Sequence, residues 1–185
     1  MPTSLFYPAI ATGLVLALLV SIYTDLKTRE ISNWVVVAAS VWGLLVWTVF
    51  HGFSGLGTSA AGGFASFSIF LLMAMLGNLG MGDVKLMGAM GCLLGWPLAI
   101  TGVLHTVISG SVFAILWVLF SKKLWTTLKN LYTITVSWLL PGRKRVQLQE
   151  LETSSLPYGV AIAVGGIWTL AAVKIPAFDL FRLIF

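Results

Sequence analysis

The chain has 185 residues, of which 58% are hydrophobic and only 9% charged. Soluble domains carry roughly a quarter charged residues, so an ordinary water-soluble globule is excluded and the lipid bilayer is the natural solvent for this surface. The net charge of +5 comes from a few basic residues set between apolar runs. That pattern reports topology and argues against nucleic acid as a partner.

Single Cys92 permits no internal disulfide, and His51 and His105 lie too far apart in sequence to suggest a metal cluster. No metal and no cofactor are expected.

Charge-free runs mark the predicted spans in chain order. Residues 1–24 carry no charge, and without a basic leading segment they read as a retained helix and not as a signal peptide. Residues 31–82 form a run of 52, long enough for two helices, with breakers at His51-Gly-Phe-Ser-Gly-Leu-Gly57 marking the turn. Residues 86–121 form a run of 36, tight for two spans, with Gly95-Trp96-Pro97 as the turn. Residues 153–173 give the last span. The apolar stretch Leu131–Leu140 and the tail Ile175–Phe185 are too short to cross and read as interfacial.

The prediction is therefore an all-α membrane protein of six helices, at about 5–24, 31–50, 58–77, 84–100, 103–121 and 156–174. Residues 1–185 make a single membrane domain, with 122–155 as a basic cytoplasmic loop carrying a short amphipathic segment. Six helices put Lys27, Arg29, Lys85, Lys122, Lys123, Lys129, Arg143, Lys144 and Arg145 on one side and Lys174 and Arg182 on the other. The nine-charge side is then cytoplasmic and both termini face outward. A single helix over 86–121 would throw the basic loop outside, which favours two short helices there.

This topology brings the two aspartates of the first 178 residues to one level. Asp25 ends the first helix and Asp83 opens the fourth, both at the cytoplasmic edge. Two close carboxyls at a low-dielectric boundary cannot both ionise cheaply, so one keeps its proton while the other stays charged. Such a pair can act as general base toward water and general acid toward a leaving amine, the chemistry of peptide hydrolysis. The bland alternatives are that Asp83 caps its helix and that Asp25 pairs with Lys27 or Arg29. Gly80 and Gly82 beside Asp83 favour a functional reading, because they let an extended backbone approach the acid.

Small residues at Gly88, Gly91 and Gly95, and at Gly159, Ala163 and Gly166, suit close helix packing within the chain. His105 reads as a neutral side chain hydrogen-bonded to a neighbouring helix. The tryptophans suit interfacial belts or lipid packing.

Gly80-Met81-Gly82-Asp83 resembles the Gly-x-Gly-Asp motif of the type IV prepilin peptidases. Asp25-Leu-Lys-Thr-Arg29-Glu-Ile31-Ser-Asn33 resembles the stretch that follows the first helix in that family. Leu156-Pro157-Tyr158-Gly159 resembles its Pro-[Phe/Tyr]-Gly element at the start of the last helix. The resemblance implies a membrane aspartic endopeptidase with Asp25 and Asp83 as catalytic residues. Gly80, Gly82, Lys85, Arg29, Asn33, Pro157, Tyr158 and Gly159 are its motif or substrate-side positions.

It also implies prepilin or pseudopilin substrates, cut after a Gly where a short basic leader meets a hydrophobic helix, in a prokaryotic inner membrane. The larger members carry a cytoplasmic insertion with paired Cys-x-x-Cys elements and also N-methylate the product. The short loop after the first helix and the single cysteine point away from that second activity, toward the short peptidases of tight-adherence pilus systems. A transporter or a pilus assembly factor, using the two acids for ions or structure, is the alternative. Transporter acids usually sit at mid-membrane between inverted repeats, and these do not. A serine protease built on His105 and Ser109-Gly110-Ser111 is a third reading, without a nucleophile motif to support it. The sequence leaves the oligomeric state open.

Overall fold

The computed structural model describes residues 3–28, 30–76, 79–120 and 158–174. Every regular element among them is helical: a short 3-10 turn at Thr3–Leu5, then α1 (Phe6–Thr28), α2 (Asn33–Leu76), α3 (Met81–Leu94), α4 (Leu98–Phe120) and α5 (Tyr158–Lys174). Three of them, α1, α2 and α4, are long and apolar enough to cross a membrane. They are apolar all round, and side chains such as Phe53, Phe64, Met75 and Leu76 stand exposed, as expected of helices solvated by lipid. Arg29, Pro157, the basic loop 122–155 and the tail 175–185 lie outside the described residues.

The chain forms two compact units, residues 1–110 with 157–185, and residues 111–156. In the second, the described residues are 111–120, the last turns of α4. The packing that follows belongs to the first unit.

A straight 44-residue helix would be about 66 Å long, twice the roughly 30 Å hydrocarbon layer. Gly52, at φ 64° and ψ −148°, breaks α2 into two arms. This is the left-handed side of backbone space, open to glycine and costly for other residues. The contacts of the arms with α3 give their directions. In the first arm, Asn33 meets Lys85 and Gly43 meets the backbone of Cys92, so this arm runs parallel to α3. In the second arm, Gly62 meets Gly91 and Phe67 meets Gly88, so it runs antiparallel. The arms therefore double back on each other. A reversal was expected over residues 51–57; helical hydrogen bonding persists through most of that stretch, and Gly52 alone departs from it.

Backbone meets backbone where α2 packs on α3. A Cβ on Gly62 would lie 2.5 Å from Gly91 O, and one on Gly43 would lie 2.7 Å from Cys92 O. Glycine is what lets these helices touch, as small-residue packing in lipid requires. Ser59 donates to Cys92 O at 2.6 Å, and Trp47 Nε1 donates to Leu93 O at 3.0 Å. Trp42 Nε1 donates to Ala9 O at 3.0 Å, and Phe6 packs edge-on against Trp47, tying α1 antiparallel to the first arm. Trp42 and Trp47 thus serve the packing of helices, where interfacial or lipid contact was expected.

The fourth predicted helix, 84–100, is displaced toward the N-terminus: α3 begins at Met81 and stops at Leu94. Gly95 takes a positive φ of 72°, the Trp96–Pro97 peptide is cis, and Trp96 N–H donates to Thr58 O at 2.9 Å. Residues 86–121 do carry parts of two helices, as the charge argument required. The 14 residues of α3 span only about 21 Å.

α5 runs antiparallel to α4. Tyr158 faces Gly110, Ser109 Oγ donates to Ala161 O at 2.9 Å, and His105 Nδ1 lies 3.0 Å from Thr169 Oγ1. Thr169 spends its own proton on Gly165 O at 2.7 Å, so the ring nitrogen is the donor in the histidine contact. Buried His105 also stacks on Trp168, with centroids 4.6 Å apart. It is the interhelical hydrogen-bonding residue the sequence suggested. Ser109 directs its hydroxyl to the carbonyls of Thr106 and Ala161, an arrangement of packing and not of a nucleophile. Leu14, Leu18, Phe70, Met87, Met90 and Ile162 fill the core between α1, α2, α3 and α5.

Candidate active site

The elements converge at the end of the first unit where α1 finishes and α3 and α5 begin. Asp25 lies one turn from the end of α1, which continues to Thr28 where the sequence predicted a stop at 24. One of its oxygens, Oδ2, is buried and has no hydrogen-bond partner. It points at the start of α5: a Cβ on Gly159 would lie 2.8 Å from it. Only glycine admits the carboxyl that close. Of the two ion-pair partners in the bland alternative, Lys27 turns to Tyr23, with Nζ 3.4 Å from its hydroxyl, and Arg29 lies outside the described residues.

Asp83 sits in the first turn of α3, two residues after its first residue, and the N-cap is Gly80. The carboxyl reaches back to accept a hydrogen bond from the Gly80 backbone N–H, the return half of a capping box. The capping alternative is thus partly realised, although Asp83 is not itself the cap. Asp83 is half-buried, and the charge of Asp25 acts directly on it. Two acids that are far apart in sequence thus lie within range of each other's charge.

Each of the other singled-out positions among the described residues has a definite place. Gly80 is exposed, and a Cβ there would stand 3.1 Å from Asp83 Oδ2, so glycine leaves the carboxyl room to fold back. Gly82 faces Ile31, whose Cβ would be 3.2 Å from an added methyl. Its lack of a side chain therefore serves the seating of the α1–α2 connection on α3, where access for a substrate backbone was expected. Lys85 Nζ donates to Asn33 Oδ1 at 3.1 Å, an exposed clasp between the starts of α3 and α2.

Tyr158 is half-buried, with its ring 6.4 Å from that of Phe70 and its hydroxyl against Gly110, and it feels the charge of Asp83. The Tyr158-Gly159 pair therefore borders both acids. The structure also gives Ile31, quoted above only as part of the stretch after the first helix, a place beneath Gly82, and it reveals two positions whose roles sequence reasoning missed: Gly110 as the seat of Tyr158, and Phe70 against its ring. No sequence signal marks those two roles, since each acts through a contact between distant helices.

Among the described residues no group of three or more His, Cys, Asp or Glu is placed to hold a metal. The chemistry on offer is that of two carboxyls with the Tyr158 hydroxyl in range of one of them, where helix ends converge, groups suited to proton transfer.

No curated protein and no solved structure matches the chain. A family model does match, described as the type IV leader peptidase family, over residues 12–119. That stretch is more than half of the chain and contains Asp25, Asp83, both motif glycines and the Lys85–Asn33 clasp. The chain belongs to the type IV leader peptidase family.

Proposed function

We propose that this protein is an aspartic endopeptidase of a prokaryotic inner membrane, with Asp25 and Asp83 as its catalytic pair. It removes short cytoplasmic leaders from prepilin or pseudopilin precursors. The observation that carries this reading is that Asp25 and Asp83 lie at the same end of α1 and α3, near enough for the charge of one to act on the other, with Gly159 admitting Asp25 to the start of α5.

The rest of the arrangement follows from the proposal. Six membrane crossings, counting the two arms of α2, keep both termini outside and put the acids at the cytoplasmic edge. A peptide bond where a basic leader meets a hydrophobic helix lies at that same depth. Cleavage falls after a Gly. One carboxyl takes a proton from water while the other protonates the leaving amine. The short α1–α2 connection and the single cysteine support a peptidase that does not methylate the new terminus. Pro157 and Arg29 are motif positions on the substrate side. Membership of a peptidase family speaks against the transporter reading.

Co-expression with a panel of prepilin-like precursors tests this. Wild type should release the leader, and Asp25→Asn and Asp83→Asn should each lose processing by about a hundredfold to ten-thousandfold. Full processing by either variant refutes the pair. Mass spectrometry of the new N-terminus reads both the cleavage point and any methylation.

A further inference from the structure

We infer that the groove between α1 and the first arm of α2 binds one acyl chain of an anionic phospholipid, with Tyr23 and Lys27 holding its phosphate. The inference draws on the membrane setting of the chain and not on the reaction proposed above.

Thr12, Leu16 and Val20 stand on one wall and Val35, Ala38 and Trp42 on the other, around a space of about 330 Å3. The two helices run antiparallel, so Val20 and Val35 mark the end nearer the acids and Thr12 and Trp42 the far end. There Trp42 reaches across to α1, lying against Gly13 and donating from Nε1 to Ala9 O at 3.0 Å. The opposite face of α1 is the one that packs inward: Leu14 and Leu18 touch the position of Gly166, and Asp25 that of Gly159. Leu16, Val20, Ala38 and Trp42 are exposed, so the groove opens away from the core, toward lipid.

The size of the groove decides between occupants. Spread over the roughly 12 Å of helix from Thr12 to Val20, its volume leaves a cross-section of about 28 Å2. An α-helix with its side chains is about 10–12 Å across and takes up about 80–110 Å2. A helix of a substrate or of a second copy of this chain therefore rests only on the rim, whereas a single hydrocarbon chain enters.

The headgroup follows from the residues beyond the acid end. Leu16, Val20, Tyr23 and Lys27 recur at helical spacing on one face of α1. Tyr23 and Lys27 thus extend the groove wall by about 5–10 Å, which matches the interfacial layer of about 5–8 Å on each side of a bilayer. Both are exposed. Lys27 Nζ directs one of its three protons to the Tyr23 hydroxyl at 3.4 Å. Its other two protons and that of the Tyr23 hydroxyl remain for an anion. Asp25 is on the opposite face, so the groove face of the two helices carries no acid among the described residues. Apolar below and cationic at the mouth, the site has the polarity of a phosphatidylglycerol or similar lipid.

Native mass spectrometry of the full chain, stripped of lipid in detergent and mixed with phosphatidylglycerol or phosphatidylcholine of identical acyl chains, tests the assignment. Wild type should retain one phosphatidylglycerol on the order of fivefold more strongly than phosphatidylcholine, the effect of one cation near a lipid surface. Lys27→Ala should lose that preference and keep the weaker binding of both. Ala38→Trp and Val20→Trp fill the groove from its two walls and should lose both lipids, with the Tm of the lipid-free protein unchanged. Wild type that holds no lipid, equal affinity for the two headgroups, or undiminished binding by the two tryptophan variants would each overturn the inference. A measurement without mutation stands beside these: phosphatidylglycerol with a photoreactive diazirine in its acyl chain should label peptides 12–20 and 35–42, and unlabelled phosphatidylglycerol should compete it away. Labelling without such competition, or a protein captured there in place of the lipid, overturns the inference. Lipid binding is read without any precursor, so a failed processing assay strikes the proposed function alone.

Discussion

Glycine performs two different tasks in this molecule. In the α2–α3 contact, Gly43, Gly62 and Gly91 let backbone meet backbone. At the acid end, Gly80 and Gly159 let backbone meet a carboxyl. The first arrangement is dense and reinforced by hydrogen bonds from Ser59 and Trp47 to carbonyls of α3. The second leaves a buried carboxylate oxygen without a partner, which a structure selected only for stability would avoid. A methyl group added to each set should therefore separate stability from activity.

The largest effect on folding is expected at Gly91→Ala. Its new methyl would collide with Gly62 O, and Ser66 Oγ would lie 2.6 Å away. Overpacking of this kind costs about 1–3 kcal/mol, or about 2–12 °C in Tm for a chain of this size. Thermal unfolding in detergent reads it, and residual activity should track the folded fraction. An unchanged Tm would show that the two backbones can part without cost.

Gly159→Ala should behave in the opposite way. The methyl would meet the far end of a side chain that can turn aside, where Gly91 meets backbone, so Tm should move by less than about 3 °C. The rate should fall on the order of tenfold to a hundredfold, because misplacing a reacting group by about 1 Å is enough to do so. Processing at wild-type rate would show that the Asp25 carboxyl need not approach α5.

Smallest of all is Lys85→Ala. An exposed hydrogen bond of this kind contributes at most about 1 kcal/mol, and the Nζ is engaged with Asn33. Stability and rate should both stay within a few-fold of wild type. A collapse of activity without loss of Tm would give Lys85 a role in the reaction beyond its clasp with Asn33.

The sequence made much of this legible. Charge-free runs located each helix among the described residues, the glycine-rich stretch at 51–57 contained the break at Gly52, and basic residues demanded two helices within 86–121. Asp25 and Asp83 stood out because acids are rare in such a chain. Boundaries were less legible because lipid-solvated helices are apolar on all sides and give no period from which to read a face. The fourth helix was expected to start at Val84, yet it starts at Met81, since Gly80 supplies the cap and Ile31 the packing for Gly82. The Asn33–Lys85 clasp joins residues 52 apart, and no local pattern announces such a meeting. Substrate access was a reasonable motive for Gly82 until Ile31 was seen to fill the space.

The shortness of α3 has a consequence for the surrounding lipid. At about 21 Å it falls short of a typical hydrocarbon layer by about 9 Å. In the arrangement proposed here the bilayer must thin around the acid end, or headgroups and water must dip to meet it. Either adjustment costs a fraction of a kcal/mol per ångström of mismatch. Acyl-chain length then becomes a control on the enzyme: short-chain lipids relax the deformation around Asp83, and long-chain lipids deepen it.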